Sequence, residues 1–427
     1  MNTNRKRSIL GWYFRTSLLL RIFIGLVLGA AAGLVVGPGI AVVKPLGSLL
    51  VSLLKMIVMP VIFTSLVVGA ASIKPSELGK IGIKILVYYL VTSALAVTLG
   101  LVAGNLLQPG QGLDLGEATE AAGKMAESPG LVDTLLAIVP RNPFGALSNG
   151  AVLPTILFAL VFGLGVSKIR ASSDERLRRS GDTVFRFFDG AAEVMYVIVR
   201  WVLEYAPVGV FALLAVVFGE QGARAFGSLG MVTFSYFAAV AVQIAGIYGL
   251  MLVAARLPYG AFFRGAREAM ITAFVTRSSS GTLPVTMRNM TENLGVSRNV
   301  SAFTLPLGAT VNMDGTALYM GVCVVFIANA IGLHLSLAQQ LTVVLTAVLA
   351  SIGTAGVPGA GAIMLLMVLH SIGLKLDAGT PAAAAYAMIL GIDALLDMGR
   401  TVTNVTGDMV GTLLVAKSEG EVDLGVW

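Results

Sequence analysis

The sequence predicts an all-α polytopic membrane protein with about eight crossing helices and two re-entrant helical hairpins. Three observations carry that prediction. Of 427 residues, 56% are hydrophobic and only 12% are charged, about half the charged share of a soluble domain, and mean hydropathy is +0.87. Apolar stretches long enough to cross a bilayer recur up to residue 255. Beyond residue 258 the apolar stretches shorten to about half a span and surround glycine-rich polar turns. The 50 glycines suit helices that pack closely or break within a membrane.

The spans fall at 15–36, 42–71, 79–108, 131–168, 183–219 and 226–255. Pro45 suits a helix start, whereas Pro140, Pro143 and Pro154 predict several short helices in the fourth stretch. Basic residues set the orientation. Arg5 to Arg7, then Lys74, Lys80 and Lys84, then Lys168, Arg170, Arg176, Arg178 and Arg179 mark cytoplasmic ends. The loop near 111–130 is mostly acidic (Asp114, Glu117, Glu120, Glu127) and belongs outside. Arg256, Arg264 and Arg267 return to the cytoplasm, and Lys417 places the C-terminus there with the N-terminus. The basic N-terminus lacks a convincing cleavage site and reads as a first anchor rather than a signal peptide. The net charge of +6 does not point to nucleic acid, because the basic residues sit in short loops between apolar spans. Cys323, the single cysteine, reads as a small buried hydrophobe.

After residue 258, apolar arms of 10–14 residues flank Arg277-Ser278-Ser279-Ser280-Gly281-Thr282-Leu283-Pro284 and then Gly353 to Gly361. Such arms suggest hairpins that enter and leave on one side, with non-helical backbone covered by protein or lining a watery cavity. A longer span with a polar interruption follows each: Asn312-Met313-Asp314-Gly315-Thr316 in one, a stripe from Asp393 to Asp408 in the other. This hairpin-plus-broken-helix unit, occurring twice, suggests an inverted repeat with a binding site at the midplane.

The stripe is the most informative feature. Asp393, Asp397, Arg400, Asn404 and Asp408 are spaced 4, 3, 4 and 4 apart in an apolar helix predicted from Ala382 to Ala416. At about 100° per residue they share one face roughly 80° wide. Ionisable groups within a bilayer cost several kcal/mol each and mark ion or substrate paths. The serine turn should open a short helix with Pro284 in its first turn, offering free N–H groups to a carboxylate. The turn holding Pro358 should do the same from the other hairpin. Arg400 could grip a second carboxylate through two nitrogens, and Asp397 an ammonium. Two carboxylates and one amine specify an acidic amino acid. The blander alternative is an Arg400–Asp397 ion pair that serves helix packing alone. For cations, Asp314, Asp408, the amides of Asn312 and Asn404, and carbonyls freed at 312–316 form a set of hard oxygen donors. Tyr89, Thr92 and Ser93 could complete one site, although taken alone they read as packing groups. The mixture suits sodium rather than a transition metal. His334 and His370, the only histidines, read as surface or interfacial groups in or beside the second hairpin. An intramembrane protease, suggested by the serines and aspartates, therefore lacks a base, and a pure channel would not need Asp397. No enzyme activity is expected.

These strings, Ser278 to Pro284, Asn312 to Thr316, Gly353 to Gly361 and Asp393 to Asp408, resemble those of the glutamate transporter family (dicarboxylate/amino acid:cation symporters). The likeness is closest to the prokaryotic sodium-coupled aspartate transporters and covers essentially the whole chain. The resemblance implies a bowl-shaped homotrimer in the cell membrane with an elevator-like mechanism. Residues 1–76 and 111–225 would be static scaffold, and 77–110 and 226–427 a moving transport domain. It implies substrate contacts at Ser278, Ser279, Thr316, Val357, Gly359, Asp397, Arg400, Thr401 and Asn404. One sodium would be held by Asp408 with carbonyls of Gly308, Asn312 and Asn404. Another would lie among Thr310, Met313, Ser351, Ile352 and Thr354, and a third among Tyr89, Thr92, Ser93, Asn312 and Asp314. Up to three co-transported sodium ions and no organic cofactor are thus implied, with the second hairpin similar to the family's extracellular gate.

Departures from the family pattern refine the expectation. Neutral amino acid members lack an arginine matching Arg400, and dicarboxylate members lack the acid matching Asp397. Animal members carry a proton-binding glutamate at the position of Met320 and a basic residue at that of Met398 rather than Arg277. The expectation is sodium-coupled uptake of L-aspartate or glutamate. A proton-coupled glutamate/dicarboxylate symporter is the alternative, and an anion channel a weaker one.

Overall fold

A bilayer leaves backbone N–H and C=O groups no partners but each other, so the apolar stretches of this chain coil into helices. The computed structural model describes residues 16, 18–72, 80–113, 115, 139–351, 359–374, 376–377 and 380–427. Helix α1 (Leu18–Val36) passes through a 3-10 segment (Gly37–Val43) into α2 (Lys44–Ala71), and α3 (Lys80–Leu107) follows. Next come α4 (Pro143–Ser148), α5 (Val152–Arg170) and α6 (Glu175–Gln221). Helix α7 (Arg224–Ala241) continues through a π-helical segment (Val242–Tyr248) into α8 (Gly249–Ala254). A first helical hairpin comprises α9 (Tyr259–Thr276), α10 (Ser279–Arg288) and a π-helical end (Asn289–Asn293). Then come α11 (Arg298–Val311) and α12 (Asp314–Ala330), a second hairpin of α13 (Leu337–Ser351) and α14 (Ala360–Ser371), and the long α15 (Pro381–Ser418). A 3-10 turn, Leu424–Val426, closes the order. Among the described residues the only strand-like pairing is an isolated bridge, Val296 to Val422.

Among the described residues six helical stretches are long and apolar enough to cross a membrane: Leu20–Ala71, Lys80–Leu107, Glu175–Gln221, Arg224–Ala254, Arg298–Ala330 and Pro381–Ser418. Their outward faces carry exposed Phe23, Val35, Trp201 and Leu250, a surface suited to lipid. Helices α1 and α2 pack on α6, and α5 packs on α2. The α1–α6 seam is close because glycines recur every fourth residue. A Cβ on Gly25, Gly29 or Gly33 would stand 2.4, 2.5 or 2.3 Å from the carbonyl oxygens of Pro207, Phe211 and Ala215. Separately, α12 packs on α3 and on α15, which also meets α9 and α11. The α12 window of Arg298–Ala330 is wholly buried, so the break before it lies deep in protein.

Several boundaries differ from the sequence reading. Two hairpin arms are longer than the expected 10–14 residues, α9 with 18 and α13 with 15, while α10 with 10 and α14 with 12 fall within it. Pro284 does not lie in the first turn of α10, which starts at Ser279 because the Ser278 side chain caps it. The fifth span runs from Glu175 because Asp174 caps it with hydrogen bonds to the N–H groups of Arg176 and Leu177. In the fourth stretch, Pro143 starts α4, but Pro154 sits inside the first turn of α5 without breaking it. The hairpin-plus-broken-helix unit occurs once. Asn312 and Met313 interrupt the α11–α12 span, whereas α15 is a continuous helix of 38 residues. Calls on 131–138, most of the acidic loop, Lys74, the basic N-terminus and Pro358 lie outside the described residues.

Candidate functional site

Helix α15 presents the predicted stripe inward: Asp393, Asp397, Arg400, Asn404 and Asp408 are all buried. Its start is fixed by Thr380, whose hydroxyl accepts from the Ala383 N–H, and by Pro381. Arg400 is 1% exposed. Its Nη1 and Nη2 donate to Asp393 Oδ1 and Oδ2 at 2.8 and 3.1 Å, and its Nε donates to Asp397 Oδ1 at 3.1 Å. The guanidinium carbon lies 4.3 Å from the centre of the Tyr319 ring, a cation–π contact that holds the group flat against α12. One cation thus faces two carboxylates, which leaves the trio with a formal charge of −1. The Arg400–Asp397 pair foreseen as the bland alternative exists, and Asp393 adds a two-pronged grip.

Both hairpin tips approach this trio. The Gly359 N–H, at the start of α14, donates to Asp397 Oδ2 at 3.2 Å. Arg277 of the first tip, Gly359 of the second and Asp393 line one cleft with Leu54, Leu203 and Leu390. Its free space, mouth included, is about 650 Å³. Ser278 caps α10 by accepting from the Gly281 N–H at 3.0 Å, and Ser279 is buried beside it. The first hairpin is held closed by Asn289 Oδ1, which accepts from the Ala269 N–H at 2.9 Å. The Glu268–Arg288 ion pair adds a second, exposed tie. Thr401 bonds the Asp397 carbonyl, and Thr316 is buried near the start of α12. Asn404 accepts from the Gly315 N–H at 2.7 Å and donates to Met313 Sδ at 3.1 Å, so it braces the broken backbone.

One helical turn beyond Asn404, a second cluster forms around two more carboxylates. Ser93 Oγ donates to Asp314 Oδ1 at 2.7 Å, and Thr92 Oγ1 to Asn312 Oδ1 at 3.4 Å. Asn312 Nδ2 donates to Asp408 Oδ1 at 2.9 Å. Gly308 lies against them: a Cβ there would be 2.5 Å from Asp408 Oδ1 and 2.6 Å from the Tyr89 hydroxyl. Tyr89 itself bonds the Thr304 carbonyl at 2.9 Å. Among the described residues neither Asp314 nor Asp408 has a basic partner. A buried charge without a partner is costly, and these oxygen donors around single carboxylates fit a hard monovalent cation.

The remaining predicted ligands are scattered or outside view. Thr310 is exposed and its hydroxyl bonds the Leu307 carbonyl; Ser351 is buried and bonds Val348. Ile352, Thr354 and Val357 lie outside the described residues. Sequence reasoning placed Asp393 on the stripe but gave it no contact of its own, and left out Tyr319 and Tyr248. Asp393 carried a signal, being seven residues and nearly two turns before Arg400 on the same face. Tyr319 and Tyr248, whose hydroxyl donates to Asp314 Oδ2 at 2.6 Å, come from other helices and have no local signature.

Residues 18–418 match a family model described as the sodium:dicarboxylate symporter family. The chain is 33% identical over 418 residues to a proton/sodium-glutamate symport protein of Geobacillus stearothermophilus, covering 95% of this chain and 96% of that one. It is 34% identical over 392 residues to a proton/glutamate-aspartate symporter of Escherichia coli, with 89% and 86% covered. It is also 34% identical over 419 residues to a C4-dicarboxylate transport protein of Deinococcus radiodurans, with 96% and 90% covered.

Proposed function

Because the chain belongs to the sodium:dicarboxylate symporter family and is a multi-pass membrane protein, we propose that it couples sodium entry to uptake of an acidic amino acid, L-aspartate ahead of glutamate. The observation that carries sodium is the pair of buried acids, Asp314 and Asp408, without basic partners among the described residues. Cations that bind there remove the cost of that charge. Each ion entering down 100 mV supplies about 2.3 kcal/mol. Asp408, Asn312 and the Gly308 backbone form one site; Asp314, Ser93, Thr92 and Asn312, with Tyr89, form another. A third lies beneath the second hairpin, among Thr310, Met313, Ser351, Ile352 and Thr354.

The amino acid enters at Arg400. Its side-chain carboxylate replaces Asp393 on the guanidinium, and Asp397 takes the ammonium. The second carboxylate meets the tips at Ser278, Ser279 and Gly359, with Val357, Thr316, Thr401 and Asn404 completing the contacts. Asp397 favours a substrate with an amine over a C4-dicarboxylate, since a bare dicarboxylate would meet an unmatched negative charge there. Asn312 bonds Asp408 and neighbours Met313, which touches Asn404; this chain of contacts links ion and substrate binding as coupled transport requires.

Residues 1–76 and 111–225 act as scaffold in a homotrimer. Residues 77–110 and 226–427 move as a transport domain, with the second hairpin as outer gate and both termini cytoplasmic. The packing of α1, α2, α5 and α6 chiefly on one another supports that division. The same carboxylates could take protons, and two of the relatives carry proton in their names. Uptake of labelled aspartate into proteoliposomes, with sodium and proton gradients imposed separately, decides between them. A sodium gradient alone is expected to drive accumulation; accumulation driven by protons in sodium-free buffer would overturn the reading.

A further inference from the structure

The π-helical segment Val242–Tyr248 interrupts an otherwise regular helix, and such segments tend to mark functional sites. Gln243 and Tyr248 are five residues apart, about 140° around an α-helix and therefore on different faces. The i→i+5 bonding of a π-helix stacks residues five apart on one face. Both side chains are fully buried. Tyr248 donates to Asp314 Oδ2 at 2.6 Å, and Ser93 donates to Oδ1 at 2.7 Å. Gly407 of α15 is where the groups converge. A Cβ there would stand 2.6 Å from the Tyr248 hydroxyl, 2.9 Å from Asn312 Nδ2 and 3.1 Å from Asp314 Oδ2.

Gln243 sharpens the case. Its amide lies beside the Tyr248 hydroxyl, yet among the described residues neither its nitrogen nor its oxygen makes a well-formed hydrogen bond. Leaving a buried amide unsatisfied is expensive, and an apolar residue of the same shape would remove the cost. A carboxamide kept at such a place needs a use. A small shift brings its N–H onto the phenol oxygen and fixes the phenol proton on Asp314.

We propose that Gln243 and Tyr248 are positioning residues that clamp one oxygen of Asp314, leave the other for the cation, and so set the site's preference for sodium over potassium. The inference rests on the sodium-coupled reading above. Monovalent ions are told apart by ligand number, cavity size and rigidity. A carboxylate fixed by Tyr248 offers one oxygen from one direction. Released, it can turn both oxygens to a larger ion.

The test measures sodium and potassium binding to the purified full-length protein without substrate, by calorimetry and by the ion-induced rise in melting temperature. Tyr248→Phe is expected to weaken sodium binding by about 10- to 100-fold, as loss of an outer-shell partner does, and to narrow sodium–potassium discrimination. Gln243→Met is expected to raise the melting temperature of the ion-free protein while shrinking the sodium-induced rise. A merely structural residue would not produce those opposite signs. Where Tyr248→Phe fails to fold, Gln243→Met carries the test alone. Wild-type sodium affinity and discrimination in the variants would overturn the inference and leave the proposed function intact. A wild-type protein that binds no sodium would instead overturn the function on which it rests.

Discussion

Arg400 is held by two carboxylates, Asp393 and Asp397, and faced by one ring, Tyr319. Removing the cation leaves both acids buried and unpaired, which costs about 3–5 kcal/mol. Arg400→Cys is therefore expected to lower thermal stability as well as aspartate affinity. Adding Asp393→Asn should return much of the stability without returning aspartate affinity, and uptake should then tilt toward neutral amino acids such as serine. A melting curve and a competition assay on the single and double variants check both halves. Asp408→Asn acts at the other cluster. Sodium affinity should fall and, through linkage, aspartate affinity at fixed sodium should fall by about 5- to 150-fold. Aspartate titrations at two sodium concentrations measure it; unchanged sodium dependence would refute the role. At this scale the α15 stripe was legible, because five polar residues share one face of an apolar helix, and one internal ion pair accounts for only two of them. The partners of those residues were not. Tyr248 and Tyr319 reach the acids and Arg400 from other helices, and period 3.6 says nothing about which helix lies opposite.

The same limit governs the elements. The break at Asn312 and Met313 could be read from polar residues inside an apolar span; the serine turn could be read as opening a helix, but its start at the Ser278 cap, six residues before Pro284, could not. The π-helical turn could not, because it changes the register of α7 with no proline in the stretch, and its one glycine, Gly246, is no rarer a feature than the glycines of regular helices elsewhere in the chain. The expected break in α15 failed for a related reason: its polar residues pair with each other and with neighbouring helices, so the backbone keeps its own bonds. A second element hidden from the sequence is the clasp after α15. The Val296–Val422 bridge is flanked by Ser297 N–H to Glu421 O at 3.0 Å and Asp423 N–H to Gly295 O at 2.8 Å. Trp427 Nε1 adds a bond to Leu294 O at 3.1 Å. Gly295 has φ +61°, and a Cβ there would sit 2.1 Å from the Asp423 carbonyl oxygen. Gly295→Ala is thus expected to cost about 1–3 kcal/mol locally and to speed hydrogen exchange across 290–297 and 419–427 while α3 and α12 keep theirs. Unaltered exchange in both segments would show that the clasp bears no load. Lys84 ties the same end by its hydrogen bond to Glu419 and holds that carboxyl below the usual glutamate range. The pair contributes above that range, and its contribution is lost as pH falls through the lowered pKa.

For the whole molecule, apolar length and composition were enough to predict a polytopic helical protein, while the order of packing depended on contacts far apart in sequence. Glycines at 25, 29 and 33 bring α1 against α6, and α3, early in the chain, packs instead on α12 near its far end. That crossing is what separates a scaffold from a moving part in the proposed mechanism, and it gives the division a direct test. Gly391 of α15 faces α6 and α1: a Cβ on it would lie 3.6 Å from Val210 Cγ1 and 3.0 Å from Leu214 Cδ1. Cysteines at 210 and 391, in a Cys323→Ala background, therefore stand within reach of a mercury bridge. If α15 must slide past α6 to carry substrate, bridging is expected to stop aspartate uptake while sodium-dependent aspartate binding persists, and an excess of a competing dithiol, which takes the mercury, should restore uptake. Full uptake after quantitative bridging would mean that the two bodies do not move apart, and that substrate passes through a fixed frame.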